Sequence, residues 1–176
     1  FCSQCGLAMS KAVTAIAASP GGYCQCVYGD RMLVANSGSN NNRVYYSLPN
    51  DFGASAWNTG AGGQWFDVGD ATAIKALIPQ RGGVSIAKGG LASSGLSPKS
   101  TQWYRLSGVP SVNESVQKVL DHAVPTEPSH AALLGNGNVG FLSAFSAKPS
   151  VFTGASVASY RHLTFDTASA FVASPD

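Results

Sequence analysis

The chain has 176 residues, of which 44% are hydrophobic and only 11% are charged. This length fits one domain with its own core, and the charged fraction lies well below the roughly 25% of an average soluble protein. The net charge of +2 is spread without a basic cluster, which argues against nucleic acid as a partner. No apolar run approaches the roughly 20 residues that a membrane-spanning helix needs.

These bounds predict a single domain over residues 1–176 with no membrane span. The low charge and the many small polar residues favour a secreted protein. Because the chain opens at Phe1 and not at Met, we expect it to be excised from a longer protein.

The first predicted element is a helix over residues 5–18, where apolar side chains recur at helical spacing until a Ser-Pro-Gly-Gly run ends the pattern. Residues 23–35 alternate around Gly29 and Asp30, which predicts a β-hairpin, and a polar loop follows over 36–42. Two further short strands are predicted at 44–48 and 64–68, on either side of a glycine-rich loop.

The second half adds two more predicted helices. Asp70 has the character of an N-cap for a helix over 71–78, and a strand follows at 103–106. A capping box from Ser111 to Glu114 predicts a helix over 112–122.

The clearest hairpin signal is centred on Asn136 and Gly137 and covers residues 130–145; a last strand is predicted within 156–165. A helix at the front with strands behind it predicts an α+β fold, in which the N-terminal helix packs on an antiparallel sheet.

A nucleophile is the first chemical candidate. Cys2 and Cys5 form a Cys-x-x-Cys at the start of the predicted helix, where the helix dipole lowers the pKa of a thiol. Cys5 is the better placed, because Gly6 beside it lets a substrate approach the backbone.

A thiol nucleophile needs a base, and the chain has three histidines. If Asn136 and Gly137 form a two-residue turn, the hairpin register pairs residue 130 with residue 143. His130 is then the predicted base and Ser143 the residue that orients its ring. His122, which follows Asp121, and His162 are the alternative bases.

This order, a Cys at an N-terminal helix and a His on a later strand, resembles the papain-like cysteine hydrolases, including papain-fold bacterial toxins. The resemblance implies a papain-like fold and a cysteine hydrolase or protein deamidase that acts on an amide bond of a protein or peptide substrate. It implies no cofactor, and for a toxin it implies a cognate inhibitor protein. In that mechanism Cys5 attacks the carbonyl, His130 transfers the proton and Ser143 holds the imidazole.

The same cysteines also fit structural roles. All four lie within the first 26 residues, so they are candidates for a zinc site or for two disulfides that join the predicted helix to the hairpin. The alternative function is then a secreted binding or adhesion domain without a nucleophile. A zinc deaminase is disfavoured because the chain has no His-x-Glu motif.

Overall fold

The computed structural model describes residues 20–37, 40–53, 56–57, 63–89, 101–125, 128–143 and 146–159. Apart from 3-10 turns such as Pro128–His130, the regular structure of these residues is β-strand. The strands form three antiparallel sheets of four strands each. Among the described residues there is no helix long and apolar enough to cross a membrane.

The three sheets follow one another along the chain. Sheet A contains β1 (Cys24–Tyr28), β2 (Arg31–Ser37), β3 (Asn40–Tyr46) and β4 (Trp65–Asp67). Sheet B contains β5 (Ile74–Gln80), β6 (Gly83–Lys88), β7 (Gln102–Ser107) and β8 (Ser115–Asp121). Sheet C contains β9 (Ala131–Leu133), β10 (Val139–Ser143), β11 (Ser146–Phe152) and β12 (Val157–Ser159). In each sheet the spatial order of the strands is their order in the chain.

Tight turns containing glycine hold the first hairpin of sheets A and B. Gly29 has a φ of 62° and Gly82 a φ of 76°, a backbone region that a two-residue hairpin turn needs and that other residues rarely adopt. The turn then fixes the pairing of Tyr28 with Arg31 and of Gln80 with Gly83.

Sheet B lies between the other two sheets and is buried on both faces. Alternate side chains of a strand point to opposite faces, so Ile86 packs in a core shared with sheet A, whereas Ala87 packs in a core shared with sheet C. The first strands also lie side by side, because β5 contacts both β1 and β9. The described residues therefore form a stack of three sheets in which β5 lies next to both β1 and β9.

The predicted α+β, papain-like fold is wrong, since the described residues form an all-β structure. The helix predicted over residues 5–18 lies outside them. The helix predicted over 71–78 is largely β5. Asp70 does not cap a helix there: its carboxylate accepts a hydrogen bond from the Thr72 backbone N–H at 3.0 Å, an Asx turn that leads into the strand.

The helix predicted over 112–122 is also wrong, because most of it is β8. Ser111 has a φ of 67°, which no helix start adopts, and the Asn113 side chain accepts a hydrogen bond from the Val109 backbone N–H at 2.7 Å. The capping-box residues thus build the turn between β7 and β8. The hairpins predicted over 23–35 and 130–145 are confirmed as β1–β2 and β9–β10.

Candidate functional site

Of the predicted catalytic residues Cys5, His130 and Ser143, the structure describes two, and these differ in solvent exposure. Cys5 lies outside the described residues. His130 is the exposed last residue of the turn Pro128–His130, and Ser143 is the buried last residue of β10. The hairpin register differs from the predicted one by one residue, because Phe141 lies opposite Ala131. The assignment of Cys5, His130 and Ser143 to catalysis stays a prediction.

Of the two alternative bases, the structure describes only His122. His122 is exposed just after β8, and its Nδ1 accepts a hydrogen bond from the neighbouring Ala123 backbone N–H at 2.8 Å. His162 lies outside the described residues.

Cys24 and Cys26 are thiols on the face of β1 that packs toward sheet B. Cys24 is fully buried, and its Sγ lies 3.5 Å from the carbonyl oxygen of Ile74. Burial, with a smaller contribution from Cys24, raises the pKa of Cys26 to about 12. Cys26 is therefore protonated at neutral pH and is a poor nucleophile.

Metal binding finds no support in the part of the chain that the structure describes. It contains no group of three or more His, Cys, Asp or Glu side chains that could hold an ion. The zinc site and the disulfides predicted for the four cysteines both require Cys2 or Cys5, which lie outside that part.

We expect Cys24 and Cys26 to resist brief alkylation by iodoacetamide near pH 7, because one is buried and the other is protonated. Peptide mass spectrometry of the native protein should find both unmodified, whereas the same treatment in denaturant should modify both. Rapid modification of Cys26 in the native protein would contradict the raised pKa of this partly buried thiol.

Among the described residues, an open groove of about 350 Å³ lies at the start of β1 and is a candidate ligand site. Two stretches of chain line it: Pro20, Gly21, Gly22, Tyr23, Asn36 and Ser37. The Tyr23 backbone N–H donates to the Asn36 carbonyl at 3.4 Å, which joins the two stretches. The groove therefore lies at the edge of sheet A where β1 begins and β2 ends.

An irregularity in the sheet shapes this groove. The β2–β3 pairing shifts register between Ala35 and Ser37, and Asn36 between them has a φ of 59°. Positive φ is uncommon for residues other than glycine, and both such residues and β-bulges occur often at functional sites. On the other wall, Gly22 lies so close to Val34 and Ala35 that a Cβ at this position would clash with the Ala35 carbonyl oxygen.

The chemistry of the groove is aromatic and polar but uncharged. Tyr23 is 77% exposed, which is unusual for so large a ring. Its ring offers an apolar face and a hydroxyl, while Asn36 and Ser37 offer an amide and a hydroxyl for hydrogen bonds. None of the described residues that line the groove is charged. Such a site suits a neutral ligand that has both apolar C–H faces and hydroxyl groups.

Sequence reasoning did not find this groove. It placed Tyr23 in a hairpin and residues 36–42 in a polar loop, but nothing in the local sequence separates the exposed Tyr23 from the buried Tyr45. Two features of the sequence could have indicated the groove. One is Asn36, a residue type that tolerates positive φ, and the other is the glycine pair before Tyr23.

The buried charged residues serve the fold instead. Arg31 donates from Nη1 to the Ser47 carbonyl at 2.7 Å and from Nη2 to the Ser111 hydroxyl at 3.3 Å. It thereby ties sheet A to the β7–β8 turn of sheet B.

Comparison with known proteins gives no family, since no family model, curated protein or solved structure matches the chain.

Proposed function

We propose that this chain is a non-catalytic binding domain that recognises a neutral oligosaccharide through the groove at Tyr23, Asn36 and Ser37. The observation that carries the proposal is the exposed Tyr23 ring beside an uncharged groove with amide and hydroxyl groups. Sugar rings present apolar C–H faces that pack on an aromatic ring, and their hydroxyls exchange hydrogen bonds with amides.

The scaffold supports this role. The groove lies where β1 begins and β2 ends. Both strands are fixed by cross-strand pairs from Cys24 with Ala35 to Tyr28 with Arg31. Groups held by strands are placed more precisely than groups on long loops, so less entropy is lost on binding.

The cysteine hydrolase or deamidase stays a prediction that depends on Cys5. Of the described residues, Cys26 is a protonated thiol and Cys24 a buried one, so neither supplies a second route to that chemistry. The predicted secretion accords with an oligosaccharide ligand and stays a prediction as well.

Isothermal titration with a panel of neutral oligosaccharides (cellobiose, maltose, lactose and N,N′-diacetylchitobiose) tests the proposal. We expect at least one to bind the wild-type chain. Tyr23→Ala should then weaken binding by about tenfold or more, equivalent to about 1.4 kcal/mol. Val112→Ala is the matched control, because Val112 is 73% exposed but lies in the β7–β8 turn, away from the groove.

Two outcomes would reject the proposal. One is that no sugar in the panel binds. The other is that Tyr23→Ala and Val112→Ala bind equally well, which would place any sugar site elsewhere on the molecule.

A further inference from the structure

The turn between β9 and β10 carries the one Asn-Gly pair of the sequence, Asn136 and Gly137. Both residues are exposed. Gly137 has a φ of 83°, in the left-handed region that glycine adopts readily and residues with a Cβ adopt rarely. A Cβ built on Gly137 would have no heavy atom within 4 Å. The turn therefore needs a glycine after Asn136 for its backbone conformation and not for close packing.

An Asn-Gly pair can deamidate without an enzyme. The backbone nitrogen of Gly137 loses its proton to hydroxide and attacks Cγ of the Asn136 side chain. A C–N bond forms, and the side-chain nitrogen leaves as ammonia. Water then opens the resulting succinimide ring at either carbonyl, which gives aspartate or isoaspartate. Glycine favours ring closure because it has no Cβ beside the attacking nitrogen. The product carries a carboxylate that is ionised at neutral pH.

The native turn engages the groups that must react. The Gly137 backbone N–H donates to the Leu134 carbonyl at 2.9 Å. The Asn136 Oδ1 accepts a hydrogen bond from the Asn138 backbone N–H at 3.1 Å, which is an Asx turn. The Leu134 backbone N–H donates to the Asn138 carbonyl at 2.8 Å and closes the hairpin. Because ring closure requires the Gly137 nitrogen to leave its hydrogen bond, the turn must first open locally.

Gln80 fixes the same turn from sheet B. It is the last residue of β5, and its Nε2 donates to the Gly137 carbonyl at 2.8 Å. Its Oε1 accepts hydrogen bonds from the Ser85 hydroxyl and from Arg105 Nη1, the latter at 3.2 Å. Both ends of the Gln80 amide are thus used, and residues of β6 and β7 set its orientation. The Gly137 peptide group is therefore anchored to sheet B.

We propose that Asn136 is a deamidation site whose rate is controlled by Gln80. The site reacts slowly while Gln80 holds the Gly137 carbonyl, and it reacts when this contact opens. Isoaspartate adds one methylene to the backbone before Gly137, so the carbonyl no longer meets Gln80 in the native geometry. The modification then releases the β9–β10 turn of sheet C from sheet B. The proposal is independent of the oligosaccharide site.

Peptide mass spectrometry of the full chain measures the exchange of NH₂ for OH at each asparagine during incubation in mildly alkaline buffer. We expect Asn136 to be the fastest asparagine when the chain is unfolded in urea. In the folded protein at the same pH, Asn136 should react at least tenfold more slowly. A factor of ten corresponds to a free energy of opening of about 1.4 kcal/mol.

Two variants of Gln80 test its control of the rate. Gln80→Ala should raise the rate at Asn136 in the folded protein about fivefold, as expected for the loss of one neutral hydrogen bond. Gln80→Glu should raise it as well, because the carboxylate keeps acceptors for Arg105 and Ser85 but has no donor for the Gly137 carbonyl. Gln117→Ala is the matched control. Gln117 is exposed, and its Nε2 contacts Ser115 of its own strand, so its loss should leave the rate unchanged.

Three results would overturn the proposal. The first is a folded wild type in which Asn136 reacts as fast as in urea. The second is another asparagine that reacts faster than Asn136 in the unfolded chain. The third is a rate at Asn136 in folded Gln80→Glu, or in folded Gln80→Ala, that equals the rate in Gln117→Ala. Circular dichroism on every variant establishes that the fold is kept.

Discussion

Replacing Lys88 with methionine is expected to destabilise the fold by about 3 kcal/mol, because buried hydrogen-bond acceptors lose their donor. The Lys88 side chain is fully buried. Its Nζ donates to the backbone carbonyl of Val68, to the carbonyl of Asp70 at 2.6 Å and to the Asp70 carboxylate at 3.0 Å. These acceptors lie in the connection from sheet A to sheet B. The Lys88 ammonium group therefore fixes this connection against sheet B.

The charges around Lys88 agree with this structural role. Burial lowers the pKa of its ammonium, and the hydrogen bond with Asp70 opposes that change. Hydrogen bonds from Thr72, with a smaller contribution from Lys88, lower the pKa of Asp70 to about 2. The carboxylate is therefore ionised at every pH above this value, and Lys88 keeps a charged partner throughout the neutral range.

Urea unfolding followed by circular dichroism measures the effect. The matched control is Lys118→Met, because Lys118 also pairs with a carboxylate, Asp121 at 2.7 Å, but is exposed. Surface pairs of this kind contribute little to stability, so the control should unfold near the wild-type midpoint. Equal midpoints for Lys88→Met and Lys118→Met would show that Lys88 does not hold the sheets together.

The second large effect is expected from Trp103→Ala, at about 4 kcal/mol. Trp103 is fully buried between sheets B and C. Its ring stacks on Phe152, with centroids 4.2 Å apart and planes 11° apart, and its centroid lies 5.3 Å from that of Phe141. Its indole N–H donates to the Ala123 carbonyl at 2.9 Å. The alanine variant loses the stacking and the hydrogen bond and leaves a large cavity.

A graded set of variants separates these contributions. Trp103→Phe keeps an aromatic ring but removes the N–H donor, so it should cost less than Trp103→Ala. Trp65→Ala is the control on a surface tryptophan, whose ring is only partly buried and packs under the Arg43 guanidinium at 3.5 Å. If Trp65→Ala lowers the free energy of unfolding as much as Trp103→Ala does, the aromatic cluster between sheets B and C is not a main source of stability.

The hairpin turns after β1 and β9 and the strand β7 could be predicted from the sequence, but β5, β6 and β8 of sheet B could not. Gly29 with Asp30, and Asn136 with Gly137, carry turn signals that depend only on local backbone conformation. β5 and β6 are largely buried on both faces, so they lack the alternation of apolar and polar residues that marks a strand with one face in water.

The misassigned β8 shows how this failure arises. Val116 packs toward sheet A, whereas Val119 and Leu120 pack toward sheet C, with a register shift in the β7–β8 pairing near Tyr104. The apolar positions 116, 119 and 120 then have the three- and four-residue spacing of a helix. The sequence also gave no sign that the four-stranded meander occurs three times, because the three sheets share their strand order but no sequence motif.

The candidate site was missed for a different reason. Which tyrosine is exposed depends on where sheets meet and end, and Tyr23, Tyr45 and Tyr46 look alike in sequence while only Tyr23 is exposed. The cysteine prediction rested on Cys5 at a helix start. The structure does not describe that residue. It places Cys24 in the core between sheets A and B, with the partly buried Cys26 packed against that core.

The most direct test of the proposed binding function is a titration of ¹⁵N-labelled protein with the sugar panel, followed by backbone amide chemical shifts. We predict shifts that saturate with ligand and cluster at Tyr23, Asn36 and Ser37, at the end of the sheets where β1 begins. Absence of saturable shifts with every sugar, or shifts confined to residues distant from Tyr23, would contradict the account.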